Sequence, residues 1–307
     1  MARVFIDGEA GTTGLLIREL LAPRADIEIV SIDSDKRKDA AAKAELLAGV
    51  DCVVLCLPDD AAKETVALAD GLGARAPKIL DASTAHRIAP GWVYGFAELA
   101  AGQGDLIAKA SRVANPGCYA TGAIALLRPL IEAGLIAADH PVTINAVSGY
   151  SGGGKSMIAD YEARRAPDFE LYALGLEHKH IPEIQAYSKL ARRALFVPSV
   201  ADFKQGMIVS IPLHLDLLPG SPSGADLEAA LIAHYGNRGF VKVVAGAALS
   251  SEGGKLEPEA LNDTNAMELR VHSNDARKHA VLTARLDNLG KGASRAAVQN
   301  LDLMLGL

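Results

Sequence analysis

The chain opens with a strand, a glycine-rich turn and the start of a helix: Arg3-Val4-Phe5-Ile6-Asp7-Gly8-Glu9-Ala10-Gly11-Thr12-Thr13-Gly14-Leu15-Leu16-Ile17. The apolar run before Asp7 is typical of a short buried strand, and apolar residues recur at helical spacing between 15 and 21. Glycine permits a tight turn and lets a pyrophosphate approach the backbone at the helix N-terminus. Three glycines in seven residues also suit a plain strand-to-helix turn. The predicted cofactor-binding positions here are Gly8, Gly11, Thr12, Thr13 and Gly14.

Strands and helices continue to alternate through the first half of the chain. Strands are predicted at 27–33, 50–57 and 78–82, and helices at 39–48 and 59–72. Strands separated by helices of this length pair in parallel with right-handed crossovers. We therefore expect an α/β protein whose first domain is a Rossmann doubly wound sheet, which binds ligands at the carboxyl ends of its strands.

The second half has a different pattern, with strand-like runs that lie closer together. They fall at 141–147, 195–200, 207–215, 241–244, 267–272 and 279–286. Such spacing favours an antiparallel or mixed sheet in an α+β domain. A helical pattern returns from 288 to 307, and we expect it to pack on the nucleotide-binding domain. The predicted domains are a nucleotide-binding domain at 1–117 plus 288–307, and a catalytic and dimerisation domain at 118–287.

The end of the second predicted strand carries charges that bear on the choice of cofactor. Asp33 lies where an acidic residue would bind a ribose 2′-hydroxyl. The basic run that follows, Ser34-Asp35-Lys36-Arg37-Lys38, suits a 2′-phosphate and hence NADP(H). A solvated charge run that opens the next helix would have the same composition. The residues predicted to contact the 2′-phosphate are Ser34, Lys36, Arg37 and Lys38.

A cysteine at the start of a predicted helix is the candidate nucleophile. In Asn115-Pro116-Gly117-Cys118-Tyr119, proline and glycine end an extended run, and a helical apolar pattern begins just after Cys118. The helix dipole and unpaired backbone N–H groups favour a thiolate there, and the thiolate is the reactive form. The alternative is a small buried apolar residue. Cys52 and Cys56 lie inside the apolar run 50–57, and we expect them to be structural.

Five further motifs occur in a fixed order with this cysteine. They are Asp7 to Gly14, Asp81-Ala82-Ser83-Thr84-Ala85-His86-Arg87, Ser148-Gly149-Tyr150-Ser151-Gly152-Gly153-Gly154-Lys155, His178-Lys179-His180-Ile181-Pro182-Glu183-Ile184 and Asn288-Leu289-Gly290-Lys291-Gly292-Ala293-Ser294. Together with Cys118 they resemble the shorter form of the N-acetyl-gamma-glutamyl-phosphate reductases, within the aspartate-semialdehyde dehydrogenase-like superfamily. The resemblance extends from residue 1 to the C-terminus.

This resemblance implies an NADPH-dependent reduction of an acyl phosphate to an aldehyde, with release of phosphate, in arginine biosynthesis. Cys118 would form a thioester, which divides one hard step into two easier ones. A histidine would move the proton at the thiohemiacetal oxygen. His180 and His178 compete for that role. We favour His180, with His178 either as a substrate contact or as a residue that supports the groups in contact with substrate, but the sequence leaves the choice open.

The other histidines are interpreted as surface or structurally satisfied groups. They are His86, His140, His214, His234, His272 and His279.

Cations and glycines in the motifs are candidates for binding substrate and cofactor. Arg87 could clamp a phosphate in bidentate fashion, although a surface arginine is the alternative. Lys155 follows a glycine run whose backbone N–H groups suit an anion, and the run lacks the spacing of a nucleotide-triphosphate loop. The predicted substrate and phosphate contacts are Arg87, Ser151, Gly152 and Lys155. The resemblance places Asn288, Lys291 and Gly292 near the nicotinamide.

Composition limits the other classes of function. The 307 residues are 50% hydrophobic with a net charge of −6, which gives no support for nucleic-acid binding. No apolar run reaches the roughly 18 residues of a membrane span, and the N-terminus lacks a signal-peptide pattern. Three cysteines indicate a reducing compartment, so we expect a cytoplasmic enzyme. No metal site is predicted, the expected ligand is a small acyl phosphate, and the resemblance implies a homodimer or homotetramer.

Two other functions are compatible with the same scaffold. One is a related reductase that acts on aspartyl phosphate or on a carrier-bound aminoadipyl phosphate. The other is a regulatory protein that binds NADP without catalysis. A regulator has no need of a thiolate, and Cys118, His180 and Arg87 occur together, so the combination argues against it.

Overall fold

The computed structural model describes residues 1–33, 35–37, 39–236, 239–246 and 253–307. The chain forms two compact units. The first contains Met1–Ala97, Ala101–Pro116 and Ala293–Leu307, and the second contains Glu98–Ala100 and Gly117–Gly292. By their contacts, residues 288–292 therefore lie in the second unit, whereas the sequence-based division gives them to the first. The division by function, at 117/118 and 287/288, stays a prediction.

The first unit is built on a six-stranded parallel sheet with strand order β2-β1-β3-β4-β6-β5. Its strands are β1 (Ala2–Asp7), β2 (Ile27–Val30), β3 (Cys52–Leu55), β4 (Lys78–Asp81), β5 (Val93–Tyr94) and β6 (Arg112–Ala114). Its helices are α1 (Thr12–Leu21), α2 (Ala40–Leu47), α3 (Asp59–Asp70), α4 (Gln103–Lys109) and, from the end of the chain, α9 (Arg295–Leu305).

Apolar residues explain this sheet. Those of β1 and β3 are almost fully buried and belong to two separate core clusters, as expected where helices cover both faces of a parallel sheet. The doubly wound fold is confirmed. Strand β5 and helix α4 were not predicted, because two strand residues and a helix of seven carry too little periodicity to recognise. Strand β6 was predicted only as an extended run of unstated bounds before Pro116.

The second unit contains a seven-stranded mixed sheet with strand order β11-β12-β13-β10-β7-β9-β8. Its strands are β7 (Thr143–Gly149), β8 (Phe169–Leu171), β9 (Leu195–Ala201), β10 (Met207–His214), β11 (Val241–Val243), β12 (Met267–Asn274) and β13 (His279–Leu286). The pairs β7/β9 and β11/β12 are parallel, and the other four pairs are antiparallel. Its helices are α5 (Cys118–Glu132), α6 (Gly154–Glu162), α7 (Ile181–Ser188) and α8 (Gly224–Tyr235). The mixed sheet is as predicted.

Helix α5 is buried on nearly all sides, which is why its sequence is apolar around the whole circumference. It packs closely on the sheet at Gly122, where a Cβ atom would lie 2.8 Å from Cγ2 of Val209 in β10. This contact fixes α5, and with it the residue at its N-terminus, against the sheet.

The prediction of one helix from 288 to 307 is wrong in its first part. Residues Gly290–Ser294 form a turn of π-helix, and the α-helix begins only at Arg295. The reason is local crowding. A Cβ atom at Gly290 would lie 2.1 Å from the carbonyl oxygen of Thr264. The close packing against Thr264 therefore determines the backbone conformation of this segment, and a regular α-helix does not form.

Candidate active site

Cys118 is the first residue of α5, as predicted. Gly117 is the N-cap residue in extended conformation, and its carbonyl accepts the backbone N–H of Thr121. Cys118 and Cys56 are partly exposed, whereas Cys52 is buried in β3. Burial raises the pKa of Cys52 and of Cys56 to about 12 in each case. Cys52 and Cys56 therefore stay in the unreactive thiol form near neutral pH.

A buried carboxylate contacts the turn before the cysteine. The backbone N–H of Gly117 donates to Oε2 of Glu183 at 3.1 Å. Glu183 is 1% exposed and lies in the first turn of α7, three residues after the N-cap His180. The two histidines of this motif were predicted as site residues, but its glutamate was not. The available signal was the acidic residue at the third position after a helix N-cap, which commonly binds backbone N–H groups.

The two candidate histidines lie together in the second unit. The backbone N–H of His180 donates to Nδ1 of His178 at 3.1 Å, and the ring centroids are 4.7 Å apart at 77°. Each ring lies 5.9 Å from the ring of Tyr119, the neighbour of Cys118. Because Nδ1 of His178 accepts a hydrogen bond, the neutral ring carries its proton on Nε2. Both histidines are buried, and both rings lie beside Tyr119 of the cysteine motif.

Two tyrosines that the sequence analysis did not select line the same region. The Tyr119 hydroxyl donates to the carbonyl of Ser199 at 2.9 Å, and burial raises the pKa of Tyr119 strongly. Burial likewise raises the pKa of Tyr172 to about 12, a hydrogen bond with Tyr119 opposes that rise, and the charge of Cys118 adds to it. Tyr172 therefore lies close enough to Cys118 for a negative charge on that sulfur to disfavour ionisation of the tyrosine.

Asn288 joins the glycine-rich turn of residues 150–153 to the segment after β13. Its Nδ2 donates to Oγ of Ser151 at 2.9 Å, and its Oδ1 accepts the backbone N–H of Gly206 at 2.8 Å. A Cβ atom at Gly152 would lie 3.4 Å from Nδ2 of Asn288. Lys155 is exposed in the first turn of α6. The predicted contacts of these residues with substrate and nicotinamide stay predictions.

Lys291 and Gly292 contact groups far away in the sequence. The Lys291 ammonium lies 2.7 Å from Oε2 of Glu98, and both side chains are buried. Burial lowers the pKa of Lys291, and the charge and hydrogen bond of Glu98 oppose this shift. Gly292 lies against the nucleophile, since a Cβ atom there would come within 2.7 Å of Cβ of Cys118. The predicted role of both residues near the cofactor stays a prediction.

In the first unit, the glycine turn is closely packed against β3. Gly8 has φ +94°, and a Cβ atom there would lie 2.3 Å from the carbonyl oxygen of Cys56. A Cβ atom at Gly14 would lie 2.5 Å from the carbonyl oxygen of Gly8. Gly11 is the N-cap of α1 and supplies no side-chain cap, and Thr12 and Thr13 open the helix. Only glycine fits at positions 8 and 14, because any side chain there would collide with backbone atoms.

A cavity of about 550 Å³ opens beside this turn. Its walls are mostly apolar, and Leu57, Leu68 and Arg37 are among the lining residues. Asp7 and Lys43 are also lining residues, joined by an ion pair of 2.8 Å. The cavity therefore combines an apolar surface with a few fixed polar groups, which is the usual character of a small-molecule site.

The basic residues after β2 are exposed and paired. Lys36 Nζ lies 3.7 Å from Asp33, and Arg37 Nη2 lies 3.4 Å from Oε1 of Glu9. The other two residues predicted for the 2′-phosphate, Ser34 and Lys38, lie outside the described residues.

Arg87 is buried in the loop after β4. Its Nε donates to the carbonyl of Asn115 at 3.1 Å, and its Nη2 donates to the carbonyl of Ala82 at 3.4 Å. The guanidinium therefore contacts the backbone of the Asn-Pro-Gly-Cys motif, which excludes the alternative of a plain surface arginine. Its predicted contact with phosphate stays a prediction.

His86 is held by its own loop. Nδ1 lies 2.6 Å from Oδ2 of the fully buried Asp81, and the ring stacks on Trp92 with centroids 4.2 Å apart. Asp81 also accepts the hydroxyl of Ser83 at 2.8 Å. These contacts agree with the interpretation of His86 as a structurally satisfied histidine.

Two features are absent from residues 1–33, 35–37, 39–236, 239–246 and 253–307. None of their helices is both long and apolar enough to cross a membrane. Nor do three or more His, Cys, Asp or Glu side chains from those ranges come together as a possible metal site.

The architecture is that of the semialdehyde dehydrogenases. Aspartate semialdehyde dehydrogenase II from Vibrio cholerae, solved with ASA, superposes with a TM-score of 0.73 at 13% identity and covers 100% of this chain and 98% of its own. The enzyme from Candida albicans, solved with NADP, gives 0.67 at 13% identity, with 99% and 98% coverage. The family model for the semialdehyde dehydrogenase dimerisation domain matches residues 118–288.

Sequence comparison identifies the family within this class. The chain is 55% identical over 307 residues to the N-acetyl-gamma-glutamyl-phosphate reductase of Chelativorans sp. (strain BNC1), covering 99% of this chain and 98% of the relative. It is 53% identical over 308 residues to the enzyme of the same name from Mesorhizobium japonicum, with 99% coverage of both. The chain belongs to the N-acetyl-gamma-glutamyl-phosphate reductase family, which confirms the resemblance seen in its motifs.

Proposed function

We propose that this protein reduces N-acetyl-gamma-glutamyl phosphate to N-acetylglutamate 5-semialdehyde with NADPH and releases phosphate, as a step of arginine biosynthesis. The observation that carries the proposal is the 55% identity with a reductase of that name over 99% of the chain. The position of Cys118 as the first residue of α5 supports the chemistry, because a helix N-terminus favours a nucleophilic thiolate.

The first unit has the features that a dinucleotide needs. Gly8 and Gly14 leave the space in which a Cβ atom would collide with backbone, and the cavity of about 550 Å³ beside them has the size and apolar walls that a nucleoside needs. Gly11, Thr12 and Thr13 would present backbone N–H groups to the pyrophosphate at the start of α1. When bound, NADPH supplies a hydride for reduction of the acyl group.

Cys118 would carry the acyl group between two half-reactions. Its thiolate attacks the carbonyl carbon of the acyl phosphate, the bond from that carbon to the phosphate oxygen breaks, and phosphate leaves. The resulting thioester accepts the hydride at its carbonyl carbon and becomes a thiohemiacetal. Collapse of the thiohemiacetal releases the aldehyde and restores the thiolate. Because Gly292 lies against Cβ of Cys118 and has no side chain, it would leave just enough room for the Cys118 side chain.

One histidine of the pair would hold and move the proton at the thiohemiacetal oxygen. We assign this role to His180, because Nδ1 of His178 is already an acceptor for the His180 backbone N–H. His178 would then orient the segment and contact the substrate. Tyr119, whose ring lies at 5.9 Å from both, would keep the two imidazoles in place.

The phosphate group would be bound by cations and by the glycine-rich turn. Arg87, fixed by two backbone carbonyls, would present a guanidinium of defined orientation. Lys155 would add a mobile charge, and Ser151 and Gly152 would offer polar backbone beside it. Asn288 would support this turn through its hydrogen bond to Ser151. Lys291, held by its ion pair with Glu98, would help to fix the position of the next residue, Gly292.

The assembly and the location of the enzyme also belong to the proposal. The match of residues 118–288 to a dimerisation-domain model supports a homodimer or homotetramer. The three cysteines, all free, suit the reducing cytoplasm.

The decisive assay runs the reaction in reverse with phosphate and NADP⁺. We expect oxidation of N-acetylglutamate semialdehyde with a kcat/KM at least about 100-fold above that for aspartate semialdehyde or aminoadipate semialdehyde. A higher kcat/KM for either of the other two aldehydes would reject the proposed substrate while keeping the reaction class. No turnover with any of the three would reject the reaction class itself.

A further inference from the structure

A carboxylate lies between two arginines at the glycine turn of the first unit. Oε2 of Glu9 is 2.7 Å from Nη1 of Arg18 in α1, and Oε1 of Glu9 is 3.4 Å from Nη2 of Arg37. Glu9 itself directly follows Gly8 of the turn. Two guanidinium groups from different parts of the chain therefore converge on one anionic group.

Ser31 completes the arrangement, which we call the Glu9 cluster: Glu9, Arg18, Ser31 and Arg37. The Ser31 hydroxyl donates to Oε2 of Glu9 at 3.1 Å and accepts from Nη1 of Arg18 at 3.0 Å. Ser31 directly follows β2, the strand whose carboxyl end lies near the adenosine ribose in doubly wound folds. The cluster thus occupies the place where the ribose 2′ position of a bound dinucleotide would lie.

The charges of the cluster suit a second anion. Two arginines and one glutamate give a net charge of +1, and the arginine side chains are 43% and 49% exposed. Exposed ion pairs are weak, so exchanging the Glu9 carboxylate for another anion costs little. A phosphate carries more charge than a carboxylate and accepts bidentate hydrogen bonds from guanidinium groups.

We propose that Arg18, Ser31 and Arg37 bind the 2′-phosphate of NADP(H), and that Glu9 is an internal counter-ion that the phosphate displaces. This inference rests on the proposed function and names the residues that select its cofactor. It moves the main contact from Lys36, which pairs with Asp33 in solvent, to Arg18, which the sequence pattern did not indicate. Glu9 keeps the arginines in position without nucleotide and weakens binding of the phosphate by competing for them.

The test measures dissociation constants of the full-length protein by titration calorimetry with NADPH, NADH, 2′,5′-ADP and 5′-AMP. In Arg18→Met we expect binding of NADPH and 2′,5′-ADP to weaken by about 10-fold or more, because a charge-assisted contact is lost. Binding of NADH and 5′-AMP should change by less than about 2-fold, since these ligands lack the 2′-phosphate. In Glu9→Gln we expect 2′,5′-ADP to bind about 2- to 5-fold more tightly, because the competing charge is gone.

Arg24→Met is the matched control. Arg24 also pairs with carboxylates, Asp26 and Asp302, but it precedes β2 at the end of the strand opposite to Ser31. It should leave all four constants within about 2-fold of the unmodified protein.

Three results with the variants would overturn the inference: equal weakening of all four ligands in Arg18→Met, no weakening of any ligand in Arg18→Met, or weaker binding of 2′,5′-ADP in Glu9→Gln. Unmodified protein that binds NADH as tightly as NADPH would also overturn it while leaving the reductase proposal intact. Unmodified protein that binds neither dinucleotide would instead contradict the proposed function on which the inference depends.

Discussion

Glu183 accepts a hydrogen bond of 3.1 Å from the backbone amide of Gly117, the residue immediately before Cys118. The same glutamate stands three residues after His180, the N-cap of α7. One buried carboxylate therefore joins the N-terminal turn that carries the candidate nucleophile to the N-terminal turn that carries a candidate proton carrier. We infer that Glu183 is a positioning residue for both.

Replacement of Glu183 should separate these two turns. In Glu183→Ala the Gly117 amide loses this acceptor in a buried site, so we expect kcat to fall by about 10- to 100-fold, equivalent to the cost of one unmet buried hydrogen bond. Glu183→Gln keeps an acceptor oxygen and should recover part of the loss. Steady-state kinetics with NADPH dissociation constants measure both effects. The control Glu162→Ala, at an exposed end of α6, should behave as unmodified protein. Loss of NADPH affinity in parallel with kcat would argue for general misfolding instead.

Gly292 should tolerate no side chain. A Cβ atom there would lie 2.7 Å from Cβ and 3.2 Å from Cα of Cys118, so Gly292→Ala must displace the nucleophile. We expect kcat to fall by about 100-fold, as a displacement of about 1 Å does in other catalytic sites. Gly104→Ala is the matched control, because a Cβ atom at Gly104 meets nothing within 4 Å. Normal turnover by Gly292→Ala would show that Cys118 is not held by this contact.

The three cysteines should differ in reactivity. Burial raises the pKa of Cys52 and Cys56 to about 12. Cys56 and Cys118 are both partly exposed, but of the three cysteines only Cys118 begins a helix. Limited iodoacetamide treatment between pH 7 and pH 9 should label Cys118 alone, since fewer than about one in a hundred molecules of the other thiols are ionised there. Peptide mass spectrometry identifies the labelled residue, and Cys118→Ala should remain unlabelled. Labelling of Cys56 at a comparable rate would contradict this order.

A partly buried cluster of charged side chains in the second sheet should make stability depend on pH. Oε2 of Glu268 lies 2.9 Å from Arg270 and 2.6 Å from Arg285, on adjacent strands β12 and β13. Burial opposes ionisation of Glu268, but the hydrogen bonds from Arg285 and Arg270 outweigh burial and lower its pKa. A lowered pKa stabilises the folded state above the ordinary glutamate value, and this stabilisation is lost as the pH falls through the folded-state value.

Glu268→Gln should therefore lower the free energy of unfolding by about 1 kcal/mol at pH 7, because Glu268 is only partly buried and solvent screens its ion pairs. The difference from unmodified protein should begin to shrink as the pH falls below the ordinary glutamate pKa of about 4.3, and it should disappear only below the lowered pKa of Glu268 in the folded state. Urea unfolding at pH 7 and at a pH below the ordinary glutamate pKa measures the difference in the free energy of unfolding. A difference that stays constant with pH would mean that charge on Glu268 does not stabilise the fold.

Local sequence predicted the elements that depend on local chemistry. The strand at His279–Leu286 has its predicted bounds, and Cys118 begins its helix because Pro116 and Gly117 end the preceding strand. The glycine turn was recognisable because Gly8 and Gly14 meet a steric requirement that the fold imposes.

Long-range contacts could not be read from the same patterns. Lys291 pairs with Glu98, and Glu183 meets Gly117, across separations that no helical or strand period encodes. Arg18 looks like an ordinary solvent-facing residue of α1 until Ser31 and Glu9 are brought beside it by the pairing of β1 with β2. The turn at Gly290–Ser294 replaced the predicted helix for the same reason, because Thr264 lies against Gly290.

The covalent role of Cys118 is the central claim, and one measurement tests it directly. The protein is mixed with NADP⁺ and N-acetylglutamate semialdehyde in the absence of phosphate, and NADPH formation is followed together with intact-protein mass. We expect a burst of about one NADPH per subunit and an N-acetylglutamyl group bound to Cys118, with neither in Cys118→Ser. A burst that persists in Cys118→Ser, or turnover without acylated Cys118, would contradict the thioester mechanism.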